Sequence, residues 1–208
     1  MKTYTAAQMR QHEQEAAARG TGFAQLMENA GRAAAADLMR RLPAPGRALF
    51  VCGKGNNGGD ALVMARLMQA QGWRADIFFA AGEKLSELAE ANRQRLSGLS
   101  GVEFVGAGEL EGRLKNGYTV ITDGIFGTGF AGTLPADIAS LCRRLNRAEG
   151  FKTALDLPTG LDCDSGTADP DTFRADLTYT FAAYKPAHHS AEGGKLCGET
   201  VCLDIGID

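Results

Sequence analysis

The sequence predicts an α/β protein, a three-layer α/β/α sandwich whose mostly parallel central sheet is preceded by two N-terminal helices. Strand-like and helix-like segments alternate along most of the chain, which is typical of strand–helix–strand units. The strand-like segments are continuously apolar, as strands buried on both faces are. A length of 208 residues suits one large domain, so we expect residues 1–208 to form a single unit.

The two N-terminal helices are indicated by capping and by helical spacing. Thr5 and Gln8 have the spacing of a capping box, and Gly20 is expected to end the first helix. Pro43 ends the second helix. Its apolar stripe consists of Phe23, Leu26, Met27, Ala30, Ala34 and Leu38.

The remaining chain alternates between the two kinds of segment. Strands are predicted at 48–52, 75–81, 102–105, 118–123, 152–157, 177–183 and 199–207. Helices are predicted at 61–71, 86–96 and 134–145. In a parallel sheet the loops that follow the strands gather at one edge, where ligands bind in this architecture.

Composition excludes several classes of protein. The formal net charge of -3 carries no basic excess, which argues against a nucleic-acid partner. No apolar stretch reaches membrane-spanning length, and the start of the chain lacks the apolar segment of a signal peptide. Five cysteines without a CxxC pair fit a reducing compartment, so a cytoplasmic location is expected.

The first polar loop, 53–60, matches G-x-G-x-x-G at Gly53, Gly55 and Gly58. Such glycines permit close backbone approach to a dinucleotide. Two features argue against an ordinary nicotinamide dehydrogenase: Asp60, at the expected helix start, would compete with a phosphate, and the strand that follows does not end in a ribose-binding acid. The alternative is a tight structural turn capped by Asp60.

Two further strands lead into polar loops, 123–130 and 156–162. Asp123 and Asp156 end these strands, and the alternatives are an Asx-type turn and a structural turn. If the three loops converge, Asn57, Asp123 and Thr159 bring together an amide oxygen, a carboxylate and a hydroxyl. These hard oxygen donors suit a monovalent ion or magnesium rather than zinc or copper.

The chain resembles the NAD(P)H-hydrate epimerases, also called the YjeF N-terminal domain. The resemblance covers nearly the whole length, in family order. It is carried by LMENAG (26–31), GKGNNGGDALVMARLM (53–68), DGIFGTGF (123–130), ALDLPTGLDCDSG (154–166), ADLTYTFAAYKP (175–186) and GETVCLDIGI (198–207). The chain departs from the family pattern at Thr159, where serine is usual, at Gly124 and at Ala187, but no donor side chain is lost.

The resemblance implies a Rossmann-like fold, a homodimer, a bound potassium ion, and interconversion of the R and S forms of hydrated NADH and NADPH at ring carbon 6. The potassium ligands it implies are Asn57, Asp123 and Thr159. It implies substrate contact by Asp156. The residues implied to hold the dinucleotide are Asn56, Asn57, Gly58, Gly59, Asp60, Gly127, Thr128, Gly129, Phe130, Ala131, Gly132 and Thr133.

Inversion at carbon 6 requires loss and return of a hydroxyl through a flat iminium-like species. A positioned carboxyl group would protonate the leaving oxygen and deprotonate the incoming water, and Asp156 is the expected catalytic residue. Lys185 is a candidate for phosphate or hydroxyl contact, with a surface lysine as the alternative. The adjacent His188 and His189 are expected in a loop or on the surface.

Two other functions remain open. The same fold serves as a non-catalytic nucleotide-binding or scaffold module, but the presence of Asn57, Asp60, Asp123 and Asp156 favours an enzyme. A redox enzyme is disfavoured because the ribose-binding acid is missing. In many bacterial relatives a dehydratase domain follows the kind of ending seen here, so a longer parent chain is also compatible with the sequence.

Overall fold

Successive side chains of strand β1 (Arg47–Cys52) enter two different hydrophobic cores. Ala48 and Phe50 pack in one core, and Leu49 and Val51 pack in the other, all without solvent exposure. Because neighbouring strand residues point to opposite faces of a sheet, both faces are covered. The computed structural model, which describes residues 2–207, therefore confirms the predicted three-layer sandwich.

All seven strands pair in parallel, so the sheet is entirely rather than mostly parallel. The spatial order is β3-β2-β1-β4-β5-β6-β7. The order reverses between β1 and β4, which opens a crevice at their carboxyl ends. The other strands are β2 Arg74–Phe79, β3 Val102–Phe104, β4 Val120–Gly124, β5 Phe151–Leu155, β6 Leu177–Phe181 and β7 Glu199–Leu203.

Helices cover the sheet and one short helix lies near the end of the chain. They are α1 Ala6–Ala18, α2 Phe23–Arg41, α3 Asn56–Gln69, α4 Glu87–Leu96, α5 Ala107–Lys115, α6 Ala136–Arg147 and α7 Gly193–Leu196, with a 3₁₀ turn at Pro186–His189. The predicted capping box of α1 is present: the backbone N–H of Gln8 donates to the Thr5 hydroxyl, and the backbone N–H of Thr5 donates to the side-chain oxygen of Gln8. No helix among residues 2–207 combines the length and apolarity needed to cross a membrane.

The second part of the glycine-rich stretch, residues 56–60, is helical rather than a loop, whereas residues 53–55 precede the helix. Helix α3 begins at Asn56, five residues before the predicted start, so Asp60 lies in its second turn. Close packing requires glycine at position 58, where a Cβ would lie 2.2 Å from the Gly53 carbonyl oxygen. A Cβ on Gly59 would lie 2.4 Å from the end of the flexible Met27 side chain, which packs closely on this turn. Tertiary contact thus overrides the low helix propensity of glycine.

Helix α5 was not predicted from the sequence. It is short and lacks a side-chain cap from the residue before it, although Glu109 accepts a hydrogen bond from the Gly106 N–H at 3.0 Å. Leu110 and Leu114, four residues apart, bury one face of the helix against the second core. Two apolar side chains in nine residues make a weak periodic signal.

Helix α1 is held against the carboxyl edge of the sheet. The backbone N–H of Ala6 donates to the Asp164 side chain at 2.8 Å, and the N–H of Tyr4 donates to the Tyr184 carbonyl at 2.8 Å. These partners lie in the loops after β5 and β6. As a result, the N-terminal helix covers the edge at which the polar loops meet.

Candidate active site

A cavity of about 380 Å³ lies at the carboxyl edge of the sheet. Its walls come from α1, the beginning of α2, the beginning of α3, the loop after β4, the residue that follows β5, and Lys185. This is the crevice formed where the strand order reverses. The cavity therefore combines all three predicted polar loops with a helix that the sequence did not connect to them.

The first wall is the beginning of α3. Lys54, Gly55, Asn56, Asn57 and Asp60 line the cavity, whereas Gly58 and Gly59 are buried behind them. Gly55 is extended and no side chain caps the helix. The first N–H groups of a helix that lack such a cap attract an anion. With the ammonium group of Lys54 beside it, this wall suits a phosphate.

The loop after β4 passes between Asn57 and Asp156. A Cβ on Gly127 would lie 3.3 Å from Asn57 Cγ and 3.5 Å from Asp156 Cβ, so these two side chains approach the same glycine from the other two loops. The Asn57 amide is buried, and neither its nitrogen nor its oxygen has a hydrogen-bond partner among residues 2–207. A buried amide of this kind is costly unless it binds something.

Asp123 lies beneath the cavity and joins two of the loops. Its carboxylate accepts the Ile125 N–H at 3.0 Å, the Thr159 N–H at 2.7 Å and the Thr159 hydroxyl at 2.8 Å. The Thr159 hydroxyl also accepts the Phe126 N–H at 3.0 Å. Burial raises the pKa of Asp123 to about 6, and these hydrogen bonds oppose that rise.

Asp156 lines the cavity from the end of β5 in an unusual backbone conformation. Its φ of 65° lies in the left-handed region, which is strained for a residue other than glycine. The conformation is held by the Asp156 N–H, which donates to the Tyr179 carbonyl at 2.6 Å. Its carboxylate forms an ion pair with Lys185 and accepts the Thr180 hydroxyl at 3.2 Å.

Lys185 is buried, so its interpretation as a surface lysine is wrong. Its side chain is 1% exposed. Besides Asp156, the ammonium group donates to the Thr180 hydroxyl at 2.8 Å and to the carbonyls of Phe181 and Ala183 at 3.0 and 3.2 Å. These contacts fix the position of the ammonium group and of the Asp156 carboxyl group bonded to it.

His188 is also buried, which corrects the expectation of a loop or surface histidine. The Lys185 N–H donates to His188 Nδ1 at 2.9 Å, so the proton of the neutral ring is on Nε2, which donates to the Asp156 carbonyl at 2.9 Å. Burial lowers the pKa of His188 to about 4. The ring thus joins the backbones of the two residues that form the ion pair. His189, its neighbour, is exposed.

Not every residue that was expected to hold the dinucleotide lies on the cavity wall. Gly127, Thr128 and Gly129 line it. Phe130 is instead buried against Phe126, with ring centroids 5.8 Å apart. The three residues that follow, Ala131, Gly132 and Thr133, are exposed and outside the wall.

Sequence reasoning missed the contribution of α1. Arg10 and Glu13 line the cavity from this helix, together with Ala6 and Met9. These residues share one helix face because they are three or four positions apart. Burial and the charge of Asp156 raise the pKa of Glu13. The available signal was that this face, which packs on the protein, carries two charged residues.

Residues 23–187 match the family described as YjeF-related protein N-terminus. The chain belongs to this family. The NAD(P)H-hydrate epimerase of Rhodopirellula baltica is 36% identical over 88% of this chain and 75% of the relative, and that of Elusimicrobium minutum is 33% identical over 100% and 96%. The bifunctional NAD(P)H-hydrate repair enzyme Nnr of Pyrobaculum aerophilum is 39% identical, and the chain covers 37% of its length.

The fold of this family member is also seen in a solved structure. The crystal structure of yeast ynu0, YNL200c, superposes with a TM-score of 0.83 over 98% of this chain and 88% of the yeast chain. The two sequences are 22% identical, so the likeness concerns the fold alone. It covers α1 as well as the sheet, because the superposition includes nearly the whole chain.

Proposed function

We propose that this chain is an NAD(P)H-hydrate epimerase, which interconverts the R and S forms of hydrated NADH and NADPH at carbon 6 of the nicotinamide ring. The observation that carries the proposal is the Asp156–Lys185 ion pair at the wall of a cavity whose other walls suit a phosphate. The relatives named NAD(P)H-hydrate epimerase, which match most of this chain, support it. The reaction makes the protein an isomerase of metabolite repair.

The walls suggest how the dinucleotide is oriented. Its phosphates fit the uncapped beginning of α3, beside Lys54 and Arg10. The nicotinamide ring then lies toward Asp156, with the apolar side chains of Phe126 and Phe181 on the same cavity wall. This arrangement puts the ring carbon that reacts next to the carboxylate, while the charged part of the substrate stays at the helix end.

Asp156 is the proposed catalytic group, and Lys185 holds its carboxyl group in position. Loss of the hydroxyl from carbon 6 leaves a flat iminium-like ring that water attacks, and a carboxylate beside the ring accepts the proton of that water. Lys185 has its donors directed at Asp156, Thr180 and two carbonyls. We therefore assign Lys185 to positioning Asp156 rather than to a phosphate.

A potassium ion is proposed at Asn57, Asp123 and Thr159. The residues fit such an ion: the buried Asn57 amide lacks a partner among residues 2–207, and the buried Asp123 carboxylate has no cationic side chain bonded to it in that range. Amide, carboxylate and hydroxyl oxygens suit a hard cation. When bound, the ion would supply positive charge beside the phosphates and the loop at Gly127.

The potassium proposal has a test that does not involve activity. We expect the thermal midpoint of the protein to rise in potassium chloride relative to choline chloride at equal ionic strength, because an ion that binds only the folded state stabilises it. The rise should disappear in Thr159→Val, which removes one ligand oxygen. Equal midpoints in the two salts for the unaltered protein would contradict the site.

Further proposals concern the location of the enzyme in the cell, its oligomeric state and its partner. All five cysteines are free, which supports a cytoplasmic location. The homodimer is proposed from the family resemblance and is checked by light scattering during size-exclusion chromatography. The Nnr relatives, which are named bifunctional and extend beyond the matched region, support a partner domain or enzyme that repairs the same metabolite, and the family resemblance implies that this partner is a dehydratase.

The deciding experiment separates the two epimers of hydrated NADH chromatographically over time. We expect the protein to accelerate their equilibration from either pure epimer. The rate is measured both with and without potassium. A protein that binds the hydrate but leaves the rate of equilibration unchanged would be the non-catalytic module of the same fold.

A further inference from the structure

Glu13 is a carboxyl group of α1 that lines the cavity without a partner. Its side chain is half-buried and makes no hydrogen bond within residues 2–207. The other carboxyl group of this helix, Glu15, is bonded to Gln11 at 2.8 Å and lies near His12, away from the cavity. Glu13 is therefore available to a ligand, whereas Glu15 interacts with neighbouring side chains on the surface of α1.

Glu13 and Asp156 belong to different walls of the same cavity. Asp156 follows a central strand, while Glu13 projects from the helix that covers the edge of the sheet. The hydrogen bonds of Tyr4 and Ala6 hold that helix in place. The two carboxyl groups are close enough to influence each other electrostatically. A flat ring bound between the walls would have one carboxyl group toward each face.

The two carboxyl groups also differ in their charged surroundings. Asp156 forms an ion pair with Lys185. Glu13 has no cationic side chain bonded to it, and burial and the charge of Asp156 raise its pKa, against the weaker opposing effects of Lys185 and Arg10. Asp60, on the adjoining wall, is close enough that the charge of Glu13 contributes to raising the pKa of Asp60. The raised pKa of Glu13 favours a proton on this group, whereas Asp156 is bonded to the Lys185 ammonium group.

Inversion at carbon 6 requires chemistry on both faces of the ring. The hydroxyl leaves from one face of the flat intermediate and water must arrive at the other. A single carboxyl group on one wall reaches one face unless the ring turns over in the site. Carboxyl groups on two walls would serve both faces with the substrate held still.

We propose that Glu13 is the second acid–base group of the epimerase, acting on the ring face opposite to that served by Asp156. The inference rests on the function proposed above. In one direction Glu13 donates its proton to the hydroxyl, the bond from carbon 6 to oxygen breaks, and the ring nitrogen supplies the electron pair of the iminium as water departs. A second water then bonds to carbon 6 from the other face, and Asp156 takes its proton. The roles are exchanged in the reverse direction.

The first test compares Glu13→Gln with the matched control Glu15→Gln on the same helix. Glutamine cannot exchange a proton, so we expect kcat for equilibration to fall about 100-fold or more while KM changes less than about threefold. Glu13→Asp should retain more activity than Glu13→Gln. The Glu15→Gln control should equal the unaltered enzyme. Full activity in Glu13→Gln would overturn the inference.

The second test follows oxygen exchange in ¹⁸O-labelled water. With Asp156→Asn we expect label to enter one epimer without inversion, because Glu13 can still release water and return it on its own face. The double variant Asp156→Asn with Glu13→Gln should lose this exchange. Exchange that persists in the double variant, or loss of exchange together with inversion in Asp156→Asn, would show that Glu13 serves no separate face.

These outcomes separate the inference from the proposed function. If the unaltered protein accelerates neither equilibration nor exchange, the epimerase proposal fails, and the role of Glu13 fails with it. If the unaltered protein and Glu15→Gln are active and Glu13→Gln is equally active, only the role of Glu13 fails. Circular dichroism of each variant checks that α1 remains folded.

Discussion

The two edges of the sheet both contain buried carboxylates, but these groups differ in how many hydrogen-bond and ion-pair partners the protein gives them. At the amino edge, the Asp76 side chain accepts hydrogen bonds from Arg47 at 2.6 Å, from Arg113 at 3.2 Å and from the Tyr118 hydroxyl at 2.7 Å. The Arg47 guanidinium also stacks over the Tyr118 ring, 4.6 Å from its centroid. This cluster satisfies its buried charge entirely from within the protein.

The carboxyl edge leaves comparable groups short of partners. Asp60 and Glu13 have no bonded cation within residues 2–207, and the Asn57 amide is buried and unpaired. Of the three acidic side chains that line the cavity, Asp156 alone is bonded to a cation within residues 2–207, and that cation is Lys185. Unsatisfied polar groups lower stability, and their concentration at one edge marks the place where a ligand completes the interactions. The amino edge is accordingly structural and the carboxyl edge functional.

The largest effect that this contrast predicts is on the rate in Asp156→Asn. Removing the carboxylate should slow equilibration of the epimers by about 10²- to 10⁴-fold. The fold should persist, because asparagine tolerates the left-handed backbone and keeps an oxygen for Lys185. Chromatography of the epimers measures the rate, and circular dichroism measures the fold. A variant as active as the unaltered protein would remove Asp156 from the reaction.

The next effect is a pH dependence of stability at the carboxyl edge. The pKa of His188 is about 4 in the folded protein, below its ordinary value near 6.5, so the unfolded chain binds the proton more readily. Stability is then complete above about pH 6.5 and declines toward pH 4, by up to about 3 kcal/mol. Urea unfolding across this range should show the decline reduced in His188→Gln. Parallel curves for the two proteins would contradict the buried neutral ring.

At the amino edge, Asp76→Asn should affect stability without affecting the reaction. It leaves Arg47 without its carboxylate partner, whereas Arg113 keeps its ion pair with Glu103. Because both guanidinium groups are about a quarter exposed, we expect a loss of about 2 kcal/mol. Urea unfolding measures this loss. The equilibration rate per folded molecule should stay within about twofold of the unaltered protein. A large fall in that rate would mean that the two edges are coupled.

The smallest predicted effect is a gain in stability from Asp60→Asn. Burial, and then the charges of Asp156 and Glu13, raise the pKa of Asp60 well above its ordinary value. A raised folded-state pKa gives stability that is present below the unfolded value near 3.8 and lost as the pH rises through the folded value. The variant cannot ionise, so at neutral pH it should be more stable by about 1 kcal/mol. An advantage that shrinks between pH 5 and pH 8 in urea unfolding would contradict this.

Local patterns predicted most of the secondary structure. The Thr5–Gln8 capping box, the stripe of α2 and the apolar strands are all properties of neighbouring residues. The structure confirms them except at Phe23, the first residue of the predicted stripe, which is 42% exposed. The predicted secondary structure was wrong where a tertiary contact determines the backbone conformation. The beginning of α3 is helical because Gly58 and Gly59 pack against Gly53 and Met27, and no property of the segment alone reveals those contacts.

The candidate site also contains some residues that the sequence could predict and others that it could not. Residues that follow strands, such as Asp123 and Asp156, could be assigned to one edge because parallel strands share a direction. Burial of Lys185 and His188 could not be predicted, since both follow a strand in a segment that resembles a surface turn. Glu13 depends on how α1 docks, and that docking uses backbone hydrogen bonds of Tyr4 and Ala6.

Local sequence and tertiary packing therefore determine different properties of this protein. The order of residues established a parallel α/β sandwich, the edge at which its polar loops meet and the family to which the chain belongs, because periodicity, capping and motif spacing are carried by short segments. The packed chain established which charged groups are paired and which are left free in the cavity. Those distinctions depend on residues as far apart as Glu13, Asp60, Asp156 and Lys185, which become neighbours only when the helices and strands pack together.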